Sequence, residues 1–190
     1  MYTETTVASG YTMEIFVEHF PSNPRTEWDN LGTMVCFHNR YRLGDEDHGY
    51  DSNDFDSWAD LKKQIIKDED QAVILPIYMY DHSGITINTT GFSCPWDSGQ
   101  IGFIYLSKEK ARKEYGFKRL TAQIKDKLTK YLTGEVKTYD QYLRGEVYGF
   151  MIMEGEEVIE SVSGFYGRES VEEEANSCLK YYNENHPISI

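Results

Sequence analysis

Cysteine is scarce in this chain. Cys36, Cys94 and Cys178 stand far apart among 190 residues, and none belongs to a CxxC pair. That spacing argues against a disulfide framework and against a thiolate zinc site, so three reduced thiols are expected. No apolar run approaches the roughly 20 residues that span a bilayer, so no membrane partner is expected. The opening MYTETTVASGYTMEIF has no basic stretch followed by an apolar one. It does not read as a secretory signal, which points to the cytoplasm. The phosphate loop GxxxxGKS/T, the dinucleotide fingerprint GxGxxG, HExxH and the nucleophile elbow are all missing. The sequence therefore announces no cofactor and no familiar catalytic centre. Bases are few, 19 against 32 acids, for a net charge of −13. A nucleic-acid backbone repels such a chain unless its bases gather on one face. A basic groove on a partner would attract it.

Aromatic residues, in contrast, are plentiful at 14%, with 15 tyrosines. A chain this rich in them folds, and its length is enough for a core without staples. Residues 1–10 read as a flexible lead-in, followed by one domain over 11–190. TMEIFVEHF alternates as a strand, with Met13, Ile15 and Val17 on one face. A second strand is expected over Thr33–His38, then a polar excursion to Phe55. Ser57 and Asp60 have capping-box spacing, and Trp58, Leu61 and Ile65 share a helical face. QAVILPIYMYD reads as a strand whose Pro76 requires an edge or a bulge. ITINTT is its return, and GQIGFIYLS a third, apolar strand. Ser107 and Gly116 bracket a short helix. A longer one is expected from about Lys118, with Leu120, Ile124, Leu128 and Tyr131 facing the core and Gly134 as a break. EVYGFMIM and EEVIESVSGFYG form a hairpin around Gly155. Ser170 and Glu173 open a last helix that His186-Pro187 ends. Neighbouring strands dominate over strand–helix crossovers, so the expected fold class is α+β: a largely antiparallel sheet with helices packed on it.

Charge is segregated along the chain. Ten acids and three lysines lie between Asp45 and Asp70, and eight acids and one arginine between Glu154 and Glu174. Nine bases and three acids lie between Lys108 and Lys130. Most charge runs are solvated faces. The sharper reading makes Asp45, Glu46, Asp47, Asp51, Asp54 and Asp56, with Glu172, Glu173 and Glu174, carboxylates that meet a basic partner as a row of phosphates would. Lys108, Lys110, Arg112, Lys113, Lys118 and Arg119 are then candidates for contact with nucleic acid held by that partner.

Few constellations suggest chemistry. Asp81-His82-Ser83 holds triad residue types, but adjacent residues cannot converge as a triad, so it reads as a turn. Cys94 could pair with His82 or His38, yet it precedes Pro95 and opens no helix, an unfavourable place for a nucleophile. Cys36 and His38 are two apart on a strand and could offer two metal ligands. The acids and histidines from His38 to Asp51 could hold a divalent cation for a hydrolase or nuclease, although D-E-D-H-G-Y-D does not follow the EF-hand spacing. In TTGFSCPWDSGQIGFIYLS, Thr89–Ser107, the glycines and Pro95 read as scaffold. Trp96 and Asp97 are the possible partner contacts, depending on whether the indole is exposed.

Three spans, NPRTEWDNLGTMVCFHNRYRLGDE (Asn23–Glu46), QAVILPIYMYDHSGITINTTGFSCPWDSGQIGFIYLSKEKARKEYG (Gln71–Gly116) and TYDQYLRGEVYGF (Thr138–Phe150), resemble a block pattern of small acidic proteins from bacterial phages and other mobile elements. Proteins of that kind include inhibitors of host defence. The resemblance implies a non-enzymatic anti-CRISPR protein acting on Cas9 with its guide RNA in the bacterial cytoplasm. It brings no catalytic residue with it. A metal-dependent hydrolase and a phage accessory protein are the alternatives.

Overall fold

The structure, a computed structural model, describes residues 3–8 and 10–185. It is α+β, and among the described residues the strands form two four-stranded antiparallel sheets. The chain divides into two compact units. One is built from the residues up to Ser22 and from Gln141 onward, the other from Asn23–Asp140.

In the first unit, β1 (Thr3–Ala8), β2 (Tyr11–Val17), β7 (Val147–Glu154) and β8 (Glu157–Tyr166) lie side by side in that order. The expected lead-in is thus in part a strand. Gly10 turns the chain at φ +89°, and Thr3–Ala8 pairs with β2 from Thr3–Phe16 to Ala8–Tyr11. Thr and Val suit a pleated strand, and backbone pairing outweighs the weak side-chain pattern. The alternation of β2 is as expected: Tyr11, Met13 and Ile15 are buried. They pack with Phe150 and Ile152 of β7 and with Val171, Ala175 and Leu179 of α4 (Arg168–Asn185). That helix begins two residues before Ser170, so the proposed cap lies inside its first turn. Its expected end at His186-Pro187 lies outside the described residues. The β7–β8 turn is at Gly155, φ +62°.

In the second unit the sheet order is β3 (Thr33–Cys36), β6 (Ser98–Ser107), β4 (Gln71–Asp81), β5 (Ile85–Asn88). β5 reaches β4 only over Tyr78–Asp81, so Pro76, with no N–H to donate, lies where β4 has an open edge. Ile101–Leu106 of β6 are buried without interruption because both faces are covered. Phe103 and Tyr105 meet Leu61 and Ile65 of α1 (Trp58–Asp68). Ile104 points the other way, toward Gly32 and Leu132 of α3 (Ala122–Leu143). Ser57 caps α1, accepting from Asp60 N at 3.2 Å, while its hydroxyl donates to the Asp60 carboxylate. The Ser57 hydroxyl and then Lys63 hold that carboxyl below its usual range. α2 (Lys108–Tyr115) is capped by Ser107 and stopped by left-handed Gly116.

α3 departs from expectation. It is one helix of 22 residues that passes through Gly134 without a break. Its buried stripe is Leu128, Leu132, Val136 and Tyr139, and Tyr131 is on the exposed side. The two stripes differ by one turn, and only tertiary packing selects between them. A Cβ at Gly134 would meet nothing within 4 Å. Gly134→Ala is therefore expected to stabilise the protein by about 0.5–1 kcal/mol, read from the urea midpoint, because the glycine loses more backbone entropy on folding.

Candidate functional site

The deepest concavity among the described residues lies in the second unit. It is an open cleft of about 1030 Å³ between the end of β3, the 39–57 excursion and the first turn of α1. Its shape depends on one buried cation. Arg25, with 1% of its side chain exposed, donates from Nε to Asp45 Oδ1 at 2.8 Å and from Nη2 to Asp45 Oδ2 at 2.7 Å. Its Nη1 reaches Glu135 Oε2 at 2.8 Å, and Nη2 also donates to Gly32 O at 2.9 Å. Asp45 accepts Met34 N, and Glu135 accepts Leu31 N and Gly32 N. A guanidinium fork suits two carboxylates held in this way, and each charge is matched and hydrogen-bonded. Next to it Gly44 sits at φ +78°, where a Cβ would be 2.6 Å from Met34 O. Gly44 and Val35 form an isolated bridge, and Gly44 N donates to the Tyr139 hydroxyl at 3.3 Å.

Pinned there, the excursion arches away from the sheet. Asp51 Oδ1 caps a short turn at Ser52–Asp54 by accepting Asn53 N at 2.9 Å. The cleft wall is aromatic. The Phe37 and Trp58 rings are nearly parallel, 16° apart with centroids at 6.3 Å, and His48 stands edge-on to Phe37 at 5.6 Å. His38 stacks on Tyr41 at 5.1 Å. The Nδ1 atoms of both histidines accept backbone N–H groups, from Arg40 and from Tyr50. Burial lowers the His48 pKa, with Asp45 opposing, so its imidazole is neutral at physiological pH. Burial, followed by the nearby Asp45 carboxylate, pushes the Cys36 thiol up to about 12, which leaves no thiolate for metal or nucleophilic work.

The expected site residues separate into groups. Asp45 is a structural carboxylate engaged by Arg25, so its assignment as a partner contact is corrected. Glu46, Asp47, Asp51, Asp54 and Asp56 are exposed along the excursion, and Glu46 and Asp56 border the cleft. Trp96 is 91% exposed at the tip of the loop before β6. That answers the question its sequence left open, since a large solvent-facing indole marks a binding surface. Asp97 is half-buried, 3.4 Å from His82 Nδ1 and 3.7 Å from Cys94 Sγ. The Cys94 thiol thus donates to a carboxylate, which is no nucleophile–base arrangement. Arg40 pairs with Asp81 at 3.0 Å, and Asp81 N donates to Asp97 O at 2.8 Å. These contacts link the cleft rim to the Trp96 loop.

Lys108 is paired with Asp70, whereas Lys110, Arg112, Lys113, Lys118 and Arg119 are exposed. In the other unit Glu172 is paired with Arg168, and Glu173 and Glu174 are exposed. Among the described residues no three His, Cys, Asp or Glu side chains converge as metal ligands, and the His38–Asp51 stretch is spread along the cleft. Sequence reasoning missed Arg25, Phe37 and Trp58 as site residues. Among the described residues no helix is long and apolar enough to cross a membrane. No protein-family model, curated protein or solved structure matches the chain.

Proposed function

We propose that this protein is a non-enzymatic inhibitor, carried by a mobile element, that binds a host defence nuclease, with Cas9 and its guide RNA as the first candidate. The observation that carries the reading is the row of exposed carboxylates on the excursion, Glu46, Asp47, Asp54 and Asp56, standing beside an exposed Trp96 on a linked loop. Most acids of a folded chain end near a base. These stand without an ion pair among the described residues, so a basic surface on a partner is their natural counterpart. Cas9 holds its nucleic acids in positively charged channels and moves a nuclease domain before cleavage, and an acidic wedge with an aromatic anchor suits either step. The exposed bases of α2 and the following loop offer a second contact, to RNA or DNA in the same complex. The resemblance to acidic proteins of mobile elements points the same way.

The test is capture of Cas9–guide complexes on immobilised protein, with a parallel DNA-cleavage assay across several orthologues. Binding with loss of cleavage, diminished by Trp96→Ala and by joint neutralisation of Asp47 and Asp54, supports the reading. Neither binding nor inhibition in any orthologue removes Cas9 as the target.

A further inference from the structure

We infer that the cleft beside α1 is a receptor for an arginine side chain on a basic peptide segment of the partner protein. The inference deepens the reading above by naming the chemistry of recognition, and it rests on that reading only for who the partner is. The volume, about 1030 Å³, is at the upper end of what an enclosed ligand needs and accommodates a side chain together with its flanking backbone. The wall offers flat faces. Phe37 and Trp58 lie nearly parallel, and a guanidinium stacks on such rings where an ammonium makes a point contact.

The rim supplies the counter-charge. Glu46 and Asp56 border the cleft, are exposed, and have no ion-pair partner among the described residues. The third carboxylate, Asp45, is already matched by Arg25. That leaves two acids available and one cation, Arg42, on an exposed stretch of the same lining. The balance favours a cation over a phosphate or a nucleotide. A buried guanidinium held by Asp45 and Glu135 already stands at the base of the same loop, so this part of the fold accommodates that group.

The experiment is an NMR titration of the full chain with a blocked tetra-arginine peptide, alongside tetra-lysine and tetra-glutamate peptides. Saturable shifts at the Trp58 indole and the His48 ring are expected with arginine, weaker ones with lysine and none with glutamate. The exposed pair Glu46→Gln and Asp56→Asn should weaken arginine binding about tenfold without disturbing the fold. Trp58→Phe, which keeps an aromatic face, should weaken it less. Shifts confined to Asp68–Asp70 or Glu173–Glu174, or unchanged affinity in the charge variant, overturn the inference. The two readings fail separately. If no defence nuclease is captured while the peptide still binds in the cleft, the receptor stands and the inhibitor reading falls. If capture and inhibition persist with no arginine shifts at the cleft, the receptor falls and the inhibitor reading stands.

Discussion

Arg25→Ala is expected to lower the stability of the protein by about 3–5 kcal/mol, which is a large part of what a domain of this size has. The substitution leaves Asp45 and Glu135 facing each other's surroundings without the cation that matched them, and both are tied to backbone N–H groups that keep them in place. The loss measures orphaned buried charge more than the worth of the pair. Arg25→Lys should recover only part of it, because an ammonium cannot donate along the two edges that the fork serves at once. Urea unfolding monitored by circular dichroism decides the matter. A loss below about 1 kcal/mol for the alanine variant would mean that water reaches the carboxylates freely and that the network is a surface one. The same variant should also release the 39–57 excursion and abolish any binding in the cleft, since Asp45 is the pin on which the excursion turns.

A comparable loss, about 3 kcal/mol, is expected from Gly102→Ala. Gly102 is paired with Cys36 on one side and Ile77 on the other, in the middle of the second sheet. An added Cβ would lie 1.9 Å from the Val35 carbonyl oxygen and 2.9 Å from Cys36 Cα. Both are backbone atoms, so no rotamer change relieves the clash and the β3–β6 pairing must open. Gly99 is the control. It is in the same strand, and nothing lies within 4 Å of where its Cβ would be, so Gly99→Ala should change stability by less than about 0.5 kcal/mol. Equal effects from the two substitutions, in paired thermal melts, would show that the close approach of the strands is not what selects glycine at 102.

The elements that were readable from the sequence carry their signals locally. Ser57 and Asp60 announce the start of α1, and Leu61 and Ile65 announce its buried side. Gly116 ends α2, and Gly155 turns the last hairpin. Each signal spans a few residues and depends on backbone geometry nearby. What could not be read depends on distant partners. Tyr131 and Leu132 are adjacent and both apolar enough to face a core, and only the sheet beneath α3 decides that Leu132 does. Thr3–Ala8 has no strong pattern of its own and gains its structure from β2. The division of the strands between two sheets is a matter of pairing, which alternation within a strand does not encode.

The candidate site shows the same limit. The acidic excursion was conspicuous as composition, but Asp45 looked like its neighbours. What distinguishes it is Arg25, twenty positions earlier, and Glu135 at the far end of the unit, joined through a fork no local spacing reveals. The aromatic wall likewise combines Phe37, which follows a strand, with Trp58, which opens a helix. Trp96 was noted in the sequence as a binary choice between filler and anchor, and its exposure is a property of the folded loop alone.

The order in which the strands enter the first sheet has a consequence for how the chain is made. Tyr11 of β2 pairs with Glu154 of β7, and Val17 with Tyr148, while everything from Asn23 to Asp140 belongs to the other unit. On a ribosome, the inserted unit is synthesised whole before β7 exists. It can close early through its own nearer contacts, while the β1–β2 hairpin waits as a two-stranded ribbon, marginal by itself, with its apolar side open. A nascent chain stopped before Val147 should therefore expose Met13 and Ile15 to chaperones while already protecting Met34 and Ile104.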